Sequence, residues 1–107
     1  MSELLVGCGE WGFRELPMEE HFRIARELGF GTLEFGIGGG QLGRLPEAPS
    51  PAEIAGFLQL CEVYEVRAPF CCIENDFTLE DPGAHAAELE KVSLQAKLAA
   101  DCGATHI

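Results

Sequence analysis

Two stretches of this chain repeat one pattern, and few folds accommodate it. In Leu28-Gly29-Phe30-Gly31-Thr32-Leu33-Glu34-Phe35-Gly36 an amphipathic segment stops at a glycine. A short apolar run follows, carrying one carboxylate near its end, and more glycines come after it. Asp101-Cys102-Gly103-Ala104-Thr105-His106-Ile107 opens the same way. Glycine just past a helical segment supplies the left-handed residue that ends a helix. A brief apolar run bounded by such signals reads as a buried strand. Helix, glycine and strand in repetition predict parallel strands joined by helices.

Four apolar runs fit this scheme. They begin near residues 4, 32, 66 and 104, a spacing of about 30 residues that suits βα units. Leu4 to Cys8 reads as a buried first strand, Thr32 to Phe35 as the second, Val66 to Ile73 as the third and Ala104 to Ile107 as the start of a fourth. Pro69 lacks a donor, so pairing is expected to weaken there.

Three helices lie between the strands. The first opens near Pro17 with Glu19 and Glu20 at its positive dipole end, and Phe22, Ile24, Ala25 and Leu28 form its stripe. Ser50-Pro51-Ala52-Glu53 spells a capping box for the second, whose expected buried face is Ile54, Phe57, Leu58 and Cys61. Asp81-Pro82 starts the third, with Leu89, Val92, Ala96 and Ala99 as its stripe. The predicted fold class is α/β, a parallel βαβαβαβ arrangement in one partial domain over residues 1–107. The (β/α)8 barrel and the doubly wound sheet share this grammar, and periodicity does not choose between them.

With 18 acidic and 7 basic residues, the formal charge is -11. Such a field repels phosphate backbones and anionic membrane surfaces, so neither nucleic acid nor membrane is an expected partner. The five cysteines, Cys8, Cys61, Cys71, Cys72 and Cys102, contain no C-x-x-C pair and sit largely in apolar stretches. They read as reduced core residues. Acidic Glu3 stands where a secretory signal would be basic, and no apolar run reaches membrane-spanning length. The expected location is cytoplasmic.

In either architecture sites form beyond the C-terminal ends of the strands. That rule selects Cys8 to Phe13, Glu34 to Arg44 and Ile73 to Thr78. Glu34 stands out as a carboxylate in an apolar strand, serving either to orient a substrate or as a structural carboxylate bonded at the rim. Asn75 and Asp76 suit polyol hydroxyls, and turn chemistry is the competing role, above all for Asp76. Trp11 offers an indole to a sugar face, or anchors its own loop. Gly38-Gly39-Gly40-Gln41-Leu42-Gly43 matches G-x-G-x-x-G, but Pro46 and Pro49 separate it from the next helix. A dinucleotide site is therefore not expected. Gly38, Gly39, Gly40 and Arg44 instead suggest a lid or a phosphate-binding loop, with plain flexibility as the alternative. His21 and His85 are expected on outer helices far from the mouth, and His106 at its wrong end. No Ser-His-Asp set and no metal motif is present.

Leu-Gly-Phe-x-x-Leu-Glu-Phe at 28–35, Glu-Asn-Asp-Phe-Thr at 74–78 and Leu-Ala-Ala-Asp-Cys-Gly-Ala at 98–104 together resemble the N-terminal part of the xylose isomerase-like TIM barrels, the sugar phosphate isomerase/epimerase family. The resemblance implies the N-terminal half of a (β/α)8 barrel. It also implies a divalent metal (Mn, Mg, Co or Zn) held by Glu, Asp and His on later strands, with ligands beyond Ile107. Proton transfer next to a carbonyl by paired glutamates would follow. Trp11, Glu34 and Asn75 match positions lining the substrate mouth; no catalytic role carries over to them, and this stretch alone is expected to be inactive. The expected partner is a small sugar or sugar phosphate. A non-catalytic partial barrel, associating with itself or a partner through its open sheet edge, is the alternative. An apurinic endonuclease-like barrel fits the acidic charge poorly.

Overall fold

Phe35 and Phe57 meet with ring centroids 4.5 Å apart, and around this contact a helical layer closes over a parallel sheet. The computed structural model describes residues 4–107. Its elements are a single 3-10 turn (Trp11–Phe13), α1 (Met18–Glu27), β1 (Thr32–Ile37), α2 (Pro51–Tyr64), β2 (Arg67–Ile73) and α3 (Pro82–Asp101). Side chains alternate along a strand. Leu33, Phe35 and Ile37 of β1 accordingly enter the core shared with Phe22 and Ala25 of α1 and Phe57 of α2. Thr32, Glu34 and Gly36 face the other way.

β1 and β2 pair in parallel, with Glu34 opposite Phe70 and Gly36 opposite Cys72. Between Thr32 and Glu34 the register slips, giving β2 one extra residue around Pro69. That slip is the local cost of a residue without an N–H. Two more segments flank the pair. The Cys8 N–H donates to the Thr32 carbonyl at 3.0 Å, and the Cys8 carbonyl accepts from Glu34 N–H at 2.8 Å. Beyond β2, His106 N–H donates to the Pro69 carbonyl at 3.1 Å and its carbonyl accepts from Cys71 N–H at 3.0 Å. Both contacts are parallel. Four parallel segments thus lie in chain order.

The outer two are shorter than the sequence suggests. Only Cys8 of the expected first strand pairs with β1, and Leu4, Leu5 and Val6 are exposed rather than buried. No described element packs beyond them to complete their burial.

The helix ends follow one device. After α1, Gly29 N–H bonds the Arg26 carbonyl and Phe30 N–H the Ala25 carbonyl. Gly103 and Ala104 repeat this after α3. Glu65 and Val66 repeat it after α2, with Glu65 held at φ 54. These are Schellman closures, and each delivers the chain directly into a strand.

The helix faces need correction. Leu28, Leu58 and Leu89 are exposed. Leu28 sits at the helix stop, past the sheet. In α2 and α3 apolar residues occur all round the helix, Val63 and Leu94 among the exposed ones, so apolarity alone leaves the inward face undetermined. α2 turns in Ile54, Phe57, Leu60, Cys61 and Tyr64. α3 buries Ala99 together with polar Gln95. Cys8, Cys71 and Cys102 lie in the core as free thiols, and burial pushes Cys71 up to about 12. No helix among the described residues is long and apolar enough to cross a membrane.

Candidate functional site

The Cys8 segment, β1 and β2 end at the same rim of the sheet, and each hands over one charged side chain there. Glu10 follows the Cys8 segment, Arg44 lies in the loop after β1, and Glu74 follows β2. The side chains of Arg44 and Glu10 are 0% and 1% exposed and form an ion pair. Arg44 Nε donates to both Glu10 oxygens, at 3.0 and 3.2 Å, and Nη2 closes the pair on Oε1. Nη1 donates to Glu74 Oε1 at 2.9 Å, a carboxylate whose side chain is 49% exposed. The hydrogen bonds and negative charge of Glu10 shift the Arg44 guanidinium further upward, so it stays charged. The cluster sums to one positive and two negative charges.

The loop is built around this arginine. Leu45 N–H donates to the Gly36 carbonyl at 3.0 Å, and the Leu45 carbonyl accepts from Gly38 N–H at 2.9 Å, tying the loop back onto β1. At Gly36 a Cβ would overlap the Arg44 side chain, so glycine is needed for this close approach. Gly38, Gly39 and Gly40 follow in succession at φ 80, 80 and 77, backbone that only glycine adopts without strain. The turn encloses a cleft of about 510 Å³, lined by Gly39, Gly40, Gln41, Leu42, Pro46 and Glu47 among others. Gln41 Oε1 is buried without a donor among the described residues.

The expected site residues divide. Arg44 belongs to the rim, but its guanidinium is fully committed to Glu10, Glu74 and the Gly38 carbonyl. An anion at the loop would therefore meet backbone rather than this side chain. Trp11 is exposed in the first connection, with the Arg14 guanidinium 4.0 Å above its ring. Asn75 is exposed and donates to the Ile73 carbonyl at 3.1 Å. Asp76 accepts from Thr78 N–H and Oγ1 at 2.9 and 2.6 Å, which makes it a turn residue. Those two bonds hold its carboxyl below the ordinary value. Glu34 is half-buried on the open face of the sheet, away from the helices.

His21 overturns its expected position. It is buried, with Nε2 3.1 Å from the Leu16 carbonyl, and its ring packs against Gly43 of the glycine loop. A helix that leaves the C-terminal end of a strand has its first turn at the rim, and His21 is in that turn. Loss of water lowers its pKa. His106 does lie near the opposite end, stacked on Phe70 at 5.2 Å. Glu10, Glu74 and Gln95 were not singled out from the sequence, although Glu10 and Glu74 fall inside rim segments. Among the described residues no three His, Cys, Asp or Glu side chains converge as metal ligands; the resemblance places those ligands beyond Ile107.

A scan against protein-family models matches none, and a search of curated proteins likewise finds no match.

Proposed function

We propose that this chain is the N-terminal portion of a (β/α)8 barrel of the xylose isomerase-like kind, part of a metal-dependent sugar or sugar phosphate isomerase or epimerase. The supporting observation is the convergence of Glu10, Arg44 and Glu74, from three successive strand-to-helix connections, at one rim. Four parallel segments in chain order are also what such a barrel requires. In this reading Trp11, Glu34 and Asn75 contact the sugar. The buried Glu10–Arg44 pair holds the glycine loop at the mouth. Metal ligands and the paired proton-transfer glutamates come from beyond Ile107, so no step of the reaction is assigned to this stretch.

The test uses protein expressed from the complete reading frame, incubated with a ketose in D2O and Mn2+. Solvent deuterium entering the carbon next to the carbonyl, followed by proton NMR, supports the proposal. Absence of exchange across aldoses, ketoses and their phosphates defeats it.

A second reading has its own support. Leu4, Leu5, Val6, Phe70 and Ile107 are exposed along the sheet and its edges. An uncovered apolar sheet of this kind suits association with itself or a partner. A monomer by light scattering across a dilution series disposes of it.

A further inference from the structure

The rim chooses among sugars by charge. We infer that the glycine-loop cleft takes an unphosphorylated polyhydroxy ligand through its hydroxyl donors, and that Glu74 is the residue that rejects phosphate esters. This rests on the isomerase or epimerase reading and narrows its substrate class.

Three observations converge. The cation expected to receive a phosphate, Arg44, has no exposed side-chain surface, and all its guanidinium nitrogens are engaged. Two carboxylates share that one positive charge, so the pair-plus-one leaves a negative excess. The excess sits on Glu74, the half-exposed member at the lip. A Cβ added to Gly39 would lie 3.1 Å from Glu74 Cγ, which places this carboxylate against the turn that lines the cleft. Finally, Gln41 lines the same cleft and its buried Oε1 has no donor. An orphaned buried acceptor calls for a donor, and a carboxylate oxygen does the same. A sugar hydroxyl supplies one; a phosphate dianion offers only acceptors and brings charge of the wrong sign.

The other basic side chain in these three connections is Arg14. It is turned to the Trp11 ring and carbonyl and to Glu15, at 4.0, 2.8 and 3.7 Å. It does not restore positive potential at the loop.

The experiment is a pair of titrations followed by amide shifts of Gly39, Gly40 and Gln41. One uses a neutral ketohexose and the other its 6-phosphate; inorganic phosphate is the control. The wild type should prefer the neutral sugar by about tenfold or more at low salt, and the preference should shrink at high salt. Glu74→Gln keeps the shape of the side chain and should cut the preference to about threefold or less. Tighter or equal binding of the 6-phosphate, or shifts caused by inorganic phosphate alone, overturns the inference and leaves the isomerase reading standing. An unchanged preference in Glu74→Gln overturns the role of Glu74. Binding of neither sugar overturns the inference and the reading beneath it.

Discussion

Replacing Arg44 with methionine isolates the energetics of the rim. Methionine fills much of the same volume but leaves Glu10, 1% exposed, without its cation. Removing one partner of a buried ion pair costs about 3–5 kcal/mol, because the remaining charge stays out of water. Glu74→Gln breaks a contact at a half-exposed carboxylate, and such pairs are worth about 0–1 kcal/mol. Glu10→Leu combined with Arg44→Met removes both buried charges, and such a swap is often close to neutral. The expected order of stability loss is therefore Arg44→Met well above Glu74→Gln, with the double variant recovering much of the deficit. Urea unfolding followed by Trp11 fluorescence and far-ultraviolet circular dichroism measures all three. Equal small losses for Arg44→Met and Glu74→Gln would refute the reasoning, as would a double variant worse than Arg44→Met alone.

Three further outcomes follow from the same packing. Gly43→Ala drives a Cβ into the His21 ring and to 2.6 Å from the Leu16 carbonyl, and should cost about 1–3 kcal/mol in urea unfolding, as overpacking does. His21 is neutral in the fold, with its pKa lowered by burial; the unfolded chain takes up the proton first, so stability should fall as pH drops below about 6.5. Urea midpoints at neutral and mildly acid pH should show that slope in the wild type and a smaller one in His21→Leu. Glu65 occupies left-handed backbone at φ 54 and makes only an exposed contact with Arg26 at 3.5 Å. Glu65→Gly should therefore raise stability by about 1 kcal/mol, visible as a higher thermal midpoint.

Local signals carried well from sequence to structure. The Ser50–Glu53 capping box forms in both directions, each bond 3.1 Å long. Asp81 accepts from Ala84 N–H at 2.9 Å, and Gly29 and Gly103 end their helices as expected. Each of these depends on residues within one turn of each other. The inward faces of α2 and α3 were legible in part: Ile54, Phe57, Cys61 and Ala99 turn inward as expected, while Leu58 and Leu89 do not, because Val63 and Leu94 also spread apolar surface around both helices. The rim rule found the segments and Arg44, but not its partners Glu10 and Glu74. Glu10 and Arg44 are 34 residues apart and Arg44 and Glu74 are 30 apart; no local spacing announces such a pairing.

That separation gives the rim network meaning beyond its energy. One guanidinium has a single fork of donors, and here it reaches carboxylates from the connections before and after its own. This is geometrically available only when the Cys8 segment, β1 and β2 lie side by side in chain order with their C-terminal ends together. The doubly wound sheet ordered 3-2-1-4-5-6 also keeps its first three strands side by side and reverses only by placing the fourth beside the first. Here the fourth segment lies beside β2 instead, where His106 bonds Pro69 and Cys71. Arg44 reports on the adjacency of three segments, the Cys8 segment, β1 and β2. Its two partners tie these connections together through side chains whose loss the unfolding experiments measure directly.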